Sequence, residues 1–101
     1  MDNFEIVWLT DAINDLSQHL SFLKNVNVNS CKELLNEIKV AVEGLKNFPE
    51  RNPVFQMPKN FPVEIRKQIV SKRYLILYSI EAGNIIIYRV LDCRKGFEYI
   101  I

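Results

Sequence analysis

All four prolines of this chain lie within fourteen residues, at positions 49, 53, 58 and 62. Proline fixes its own φ angle and lacks a backbone N–H donor, so no helix or central strand can run through such a segment. Residues 49–62 are therefore predicted to form an irregular connection without a regular element. The apolar residues before and after it repeat with different periods. With 101 residues in total, both parts are expected to share one core in a single domain, 1–101.

The part before the prolines begins as a strand and continues as helix. Phe4, Ile6 and Trp8 alternate with other residues, which is the pattern of a strand with one buried face. Apolar side chains then recur every three or four residues over 11–25 and again over 30–48, as they do along the buried side of a helix. This part of the sequence therefore predicts one strand followed by two amphipathic helices.

The connection between the two helices is short. Residues 25–29 alternate asparagine with valine, and asparagine favours turns and caps over helix interiors. Ser30 and Glu33 have the spacing of a capping box, which predicts that the second helix begins at Ser30. Two helices joined so closely are expected to lie antiparallel as a hairpin.

After the prolines the apolar period changes to two. The segments 63–69, 74–80 and 85–91 are rich in β-branched and aromatic residues and are predicted to be strands. Ser71-Lys72 is predicted to turn the first of them into the second, and Glu81 to Asn84 to form a tight hairpin between the last two. The order β-α-α-β-β-β predicts an α+β fold, with a twisted, mainly antiparallel sheet that carries the helical hairpin on one face.

Reactive side chains and charges narrow the possible chemistry. The chain has two cysteines and a single histidine, His19, so disulfide scaffolds, four-cysteine zinc sites and multi-histidine metal centres are excluded. His19 is expected to be a surface or partly packed side chain. No metal site and no cofactor are predicted.

The charges are divided unevenly along the chain. Residues 1–48 carry four lysines against seven acidic residues, whereas residues 49–101 carry nine basic against five acidic ones. The second half is therefore expected to meet an anionic partner.

Strand alternation gives these basic residues a predicted location. Neighbouring residues of a strand point to opposite faces, so Arg66 is expected to oppose Ile65, and Arg89 to oppose both Tyr88 and Val90. If the helices cover the face that holds Ile65, the other face gathers the basic side chains. These are Arg66, Arg73 and Arg89, with Arg94 and Lys95 at the rim. The alternative is that these arginines only keep an exposed sheet face hydrated.

Three sequence motifs resemble the RelE/ParE family of toxins from bacterial type II toxin-antitoxin systems. They are Leu-Lys-Asn-Phe-Pro at 45–49, Lys-Arg-Tyr-Leu-Ile-Leu-Tyr at 72–78 and Ile-Tyr-Arg-Val-Leu-Asp-Cys-Arg at 87–94. Their order and spacing cover nearly the whole chain. The resemblance implies a toxin partnered by a cognate antitoxin, either as a toxin-antitoxin hetero-oligomer or with a toxin homodimer.

The same resemblance implies one of two targets. RelE-like members cut messenger RNA on the ribosome, and ParE-like members poison DNA gyrase. For RNA cleavage, Arg73 and Arg89 would bind the scissile phosphate while Lys95 or Tyr99 moves protons, and the further nucleic-acid contacts would come from Arg66, Lys72 and Arg94. Leu75 stands where both branches commonly have arginine, and Asp92 stands where some members have a histidine that could act in catalysis. The ending Arg-Val-Leu-x-x-Arg is closer to ParE.

Two further expectations concern role and location. The alternative to a toxin is a non-toxic interaction domain, or a degenerate toxin that only binds its partner. The sequence has no apolar run of the roughly 20 residues needed to span a bilayer, and its first residues lack the basic and apolar parts of a signal peptide. The protein is therefore expected in the cytoplasm.

Overall fold

The computed structural model describes residues 3–94 as two helices and a five-stranded sheet. The elements follow in the order β1 (Glu5–Trp8), α1 (Thr10–Val26), α2 (Val28–Gly44), a 3-10 turn (Pro49–Arg51), β2 (Val54–Phe55), β3 (Ile65–Val70), β4 (Tyr74–Glu81) and β5 (Asn84–Asp92). Neither helix is long and apolar enough to cross a membrane.

The sheet has the strand order β1-β5-β4-β3-β2. β1 runs parallel to β5, and the other neighbours are antiparallel. The predicted α+β fold is confirmed, with a mainly antiparallel sheet and the helical hairpin on one of its faces. Parallel neighbours cannot be joined by a tight turn and need a long connection. Between β1 and β5 that connection comprises the helical hairpin and the strands β2 to β4.

One asparagine forms the whole connection between the helices. The backbone N–H of Asn27 donates to the carbonyl oxygen of Leu23 at the end of α1, and its side chain accepts hydrogen bonds from the backbone N–H groups of Asn29 and Ser30 at the start of α2. The predicted start at Ser30 is therefore wrong, because Asn27 caps the helix three residues earlier. α2 also ends earlier than predicted, at Gly44.

The proline-rich segment is more regular than predicted. It contains the 3-10 turn and β2, which pairs with β3 through Val54–Arg66 and Phe55–Ile65. The prediction of no regular element is therefore wrong for these five residues. Proline is tolerated at the start of a 3-10 turn and beside a short edge strand, since neither position needs its missing N–H.

Both faces of the sheet are covered. On one face α1 and α2 bury the strand residues Tyr74, Ile76, Tyr78, Ile85, Ile87 and Val90. The opposite side, here called the outer face, buries Ile65, Leu75, Leu77 and Leu91, with partly buried side chains of the proline-rich segment packed against them. The interpretation in which the helices cover the face of Ile65 is therefore wrong.

A β-bulge in β5 changes the direction of the side chains that follow it. Leu77 of β4 pairs with Arg89, but the next residue, Tyr78, pairs with Ile87, so Tyr88 is an extra residue without its own partner. A bulge lets two successive side chains lie on the same side of a strand. Tyr88 and Arg89 indeed line one cleft, so the prediction that they oppose each other is wrong. Val90, in contrast, lies in the helix-side core.

The two predicted turns are present. Ser71 and Lys72 have φ angles of 55° and 56°, and Ala82 and Gly83 have 49° and 81°. Two consecutive positive φ angles are the mark of the hairpin turn that suits the twist of antiparallel strands. Three of these four residues carry a side chain, so both turns hold backbone conformations that L-residues seldom adopt.

Candidate functional site

A buried carboxylate organises two arginines where β4 begins and β5 ends. Asp92 is 4% exposed, and its Oδ2 lies 2.8 Å from Arg94 Nη2 and 3.6 Å from Arg73 Nε. Arg94 also donates to Oδ1 through its Nε, at 3.1 Å, and through its backbone N–H, at 2.9 Å. These hydrogen bonds from Arg94 hold the pKa of Asp92 well below its usual range, despite burial. We call Arg73, Asp92 and Arg94 the basic end.

Aromatic side chains pack beside the basic end. The Arg73 guanidinium lies 5.1 Å from the centre of the Tyr74 ring, close enough for a cation–π contact. Burial raises the pKa of the Tyr74 hydroxyl, so this phenol stays protonated at neutral pH. The centre of the His19 ring lies 4.9 Å from the centre of the Tyr74 ring, and His19 Nε2 donates to the carbonyl oxygen of Val90 at 2.8 Å. His19 is thus partly packed, and it binds the backbone of β5.

A second carboxylate holds Arg89. Asp15 of α1 accepts hydrogen bonds from Arg89 Nε at 2.6 Å and from Arg89 Nη2 at 2.9 Å. The same carboxylate accepts the backbone N–H of Val90 at 3.0 Å. The side chains of Arg89 and Asp15 are 24% and 14% exposed, so this ion pair is partly shielded from water. It is therefore stronger than a pair on an open surface.

Arg89 and Tyr88 lie on a cleft of about 160 Å³ on the outer face, here called the outer cleft. Its lining is mostly apolar and comprises Leu9, Asp11, Met57, Phe61, Ile65, Leu77, Tyr88 and Arg89. The rings of Phe61 and Tyr88 meet edge to face at 6.0 Å. The Tyr88 hydroxyl donates to Glu81 Oε2 at 3.0 Å, and burial raises its pKa. The walls of this cleft suit an apolar or aromatic group.

The structure separates the predicted site residues into groups. Arg73 and Arg94 meet at Asp92, Arg89 lies at the outer cleft, and Lys72 is exposed in the β3–β4 turn. Arg66 is not brought to the basic end: it donates to the carbonyl oxygens of Glu50 and Asn52, at 3.1 and 2.6 Å, and ties down the proline-rich segment. Lys95 and Tyr99 lie outside the described residues.

Asp15 is a residue that the sequence reasoning missed. It is separated from Arg89 by 74 positions, and no local motif connects them. The sequence did contain one indication of a polar contact. Asp15 lies four positions before His19, so the side chains of Asp15 and His19 lie on the same side of the predicted helix. Within residues 3–94 no group of three histidine, cysteine, aspartate or glutamate side chains could hold a metal ion.

The fold, a helical hairpin on a five-stranded mixed sheet, is similar to that of solved structures. One similar solved structure is the "Chromosomal ParDE TA system from P. aeruginosa", with a TM-score of 0.70, 14% sequence identity, and coverage of 89% of this chain and 96% of that chain. At this identity the likeness shows the fold.

The family itself follows from the sequence. A family model described as "ParE toxin of type II toxin-antitoxin system, parDE" matches residues 6–97, so the chain belongs to the ParE toxin family. This confirms the resemblance carried by the three motifs. No curated protein matches the chain.

Proposed function

We propose that this toxin arrests bacterial growth by binding DNA gyrase, and that it acts as a binding protein and not as a ribonuclease. The observation that carries the proposal is that three predicted site arginines each form an ion pair with an aspartate. Arg73 and Arg89 were predicted to bind the scissile phosphate, and Arg94 to bind nucleic acid. The membership of the ParE family supports the same branch.

RNA cleavage through the 2′-hydroxyl needs a base to remove a proton and an acid to protonate the leaving oxygen. Arginine stays protonated and cannot act as a base. Asp92 is a weak base because Arg94 and Arg73 stabilise its charged form, and Tyr74 is a weak acid because its pKa is raised. In the described part of the basic end, the side chains are thus suited to holding charge in fixed positions and poorly suited to moving protons.

Two assays separate the proposed function from its competitor. Purified toxin is expected to stop supercoiling by gyrase, while primer extension on messenger RNA from induced cells shows intact transcripts. Cleavage at regular codon positions with normal supercoiling would overturn the proposal. It would favour a ribonuclease that uses Lys95 or Tyr99 as predicted. If the induced, folded protein leaves growth unchanged, the chain is instead a non-toxic interaction domain or a degenerate toxin.

The partner of this toxin is proposed to be a cognate antitoxin that docks between α2 and the edge of the sheet. A groove of about 320 Å³ lies there, lined by Asn36, Glu37, Val40, Ala41, Ile69 and Val70. Val40 and Ile69 are 65% and 52% exposed, which is high for apolar side chains and favours an apolar partner. β2 pairs with Ile65 and Arg66 of β3, and the carbonyl oxygen of Pro53 accepts the backbone N–H of Lys67 at 3.1 Å. The edge of β3 from Gln68 onward is therefore available to an extended segment.

Hydrogen exchange with and without the antitoxin tests this docking site. Protection is expected in α2 and in β3 from Gln68 to Val70. Protection confined to the proline-rich segment would contradict it. Size-exclusion chromatography of the free toxin then decides whether the same surface forms a homodimer.

A further inference from the structure

We infer that Asp15 is a positioning residue, which holds the Arg89 guanidinium at the rim of the outer cleft for contact with the target of the toxin. The inference rests on the proposed function, because it takes Arg89 to be part of the target-binding surface. Asp15 itself acts through Arg89.

The contact joins a helix to an irregular point of the sheet. Arg89 directly follows the extra residue Tyr88, where the pairing between β4 and β5 shifts by one position. A bulge redirects side chains but does not by itself fix a long one. Asp15 supplies such a constraint, since its carboxylate binds both the side chain of Arg89 and the backbone N–H of Val90.

Fixing an arginine before it binds has a thermodynamic advantage. A free arginine side chain carries large rotamer entropy, which is lost when a target immobilises it. Asp15 takes up one side of the guanidinium through two parallel hydrogen bonds, the geometry that orients this group best. Part of the ordering cost is thus met during folding, when α1 packs against β5.

His19 provides a natural comparison for Asp15. It lies one helical turn further along α1 and binds the carbonyl oxygen of Val90, the residue whose N–H binds Asp15. Because β1 ends at Trp8, it pairs with β5 only as far as Ile87. Asp15 and His19 bind the backbone of β5 beyond that point. Both therefore attach α1 to β5, but His19 binds the backbone of Val90 and packs against the Tyr74 ring, whereas Asp15 also orients Arg89. Loss of either one weakens the attachment, and loss of the Asp15 carboxylate also weakens the hydrogen bonds that orient the Arg89 guanidinium.

A double-mutant cycle on the full chain tests the inference. The variants are Asp15→Asn, Arg89→Gln and the double variant, with His19→Ala as the control for attachment and Glu33→Gln, an exposed residue of α2, as the control for charge. The concentration that half-inhibits gyrase supercoiling is measured beside the melting temperature, and is corrected for the folded fraction. Asp15→Asn is expected to raise that concentration about tenfold in the wild-type background and not at all in the Arg89→Gln background.

The controls distinguish positioning from general stabilisation. His19→Ala is expected to lower the melting temperature with less than about a twofold change in inhibition, and Glu33→Gln to change neither. The inference is overturned if Asp15→Asn inhibits as well as wild type, or if it weakens inhibition equally in both backgrounds.

A failure of the proposed function gives a different result. If wild-type toxin arrests growth but leaves gyrase active, the gyrase proposal is wrong, and the same cycle is then read from growth arrest. The expected coupling of Asp15 and Arg89 in that readout would still support the inference, and its absence would overturn it. A folded wild type that neither inhibits gyrase nor arrests growth overturns both.

Discussion

The hydroxyl of Tyr78 donates a hydrogen bond of 2.6 Å to the carbonyl oxygen of Pro49. It also accepts one from Asn52 Nδ2 at 3.1 Å. Tyr78 is fully buried in the helix-side core, so one phenol joins that core to the start of the proline-rich segment. Burial raises its pKa, and the group stays a neutral donor at neutral pH.

Removal of this hydroxyl is expected to destabilise the protein. Tyr78→Phe leaves the Pro49 carbonyl and the Asn52 amide short of a partner, at a cost of about 1 to 3 kcal/mol in the free energy of unfolding. Urea unfolding measures the change. Tyr88→Phe is the matched control and is expected to cost less than about 1 kcal/mol, because its partner Glu81 keeps a hydrogen bond from Ser79. Equal losses in the two variants would show that Tyr78 does not anchor the segment.

Asp92 is expected to make stability depend on acid pH. Its pKa is lowered in the folded protein, so its stabilising contribution is complete above the unfolded pKa, about 4, and is lost as the pH falls towards the lower folded value. Asp92→Asn leaves Arg73 and Arg94 without a buried anion and is expected to cost about 2 to 4 kcal/mol at pH 7. Unfolding from pH 7 to pH 2 checks this: the two proteins should differ most above pH 4 and progressively less below it. A constant difference would contradict the assignment.

The β3–β4 turn is expected to separate stability from activity. Lys72 has a φ of 56°, which favours glycine, so Lys72→Gly is expected to raise the free energy of unfolding by about 0.5 to 1 kcal/mol. Lys72→Ala removes the same charge but keeps the strain, and should give no such gain. If Lys72 contacts a nucleic acid as predicted, both variants lose toxicity to a similar extent. If neither variant loses toxicity, Lys72 is not part of the site.

Arg89 and Arg94 are expected to be essential in combination under either mechanism. Induced expression of an Arg89→Ala, Arg94→Ala double variant should no longer arrest growth, because both candidate surfaces lose a fixed positive charge. Lys32→Gln, a change of one exposed charge on α2, should leave growth arrest intact. Circular dichroism verifies that the double variant is folded at the growth temperature, since Arg94 also stabilises Asp92. Full toxicity of a folded double variant would place the active surface elsewhere.

Regular elements could be predicted from the sequence because their signals are local and repeated. The 3.6-residue period of Leu34, Ile38 and Val42 defined α2, and the two-residue period of Tyr74, Ile76 and Tyr78 defined β4. Helix boundaries were predicted less accurately where two residues offered similar capping signals. Ser30 and Glu33 satisfied a capping rule, but Asn27 satisfied it earlier in the chain.

The candidate site was less predictable, because it depends on one irregularity and on contacts between distant residues. A bulge leaves the apolar pattern around Tyr88 unchanged, yet it moves Arg89 to the side of its neighbour. The pairing of Asp15 with Arg89 exists only once α1 lies against β5. Asp92 could be named as a departure from the family pattern, but its burial between two arginines followed only from the fold.

The parallel pairing of β1 with β5 matters for how the toxin is made. Glu5 pairs with Asn84 and Trp8 with Ile87, so the first strand has no neighbour until the last one has left the ribosome. Asp15 and His19 likewise cannot form their hydrogen bonds to β5 until Val90 has been synthesised. Such distant pairing must close a long loop before it contributes stability. A nascent chain that ends before β5 is therefore expected to have neither a closed sheet nor an ordered Arg89, so that toxicity begins only after β5 has been synthesised.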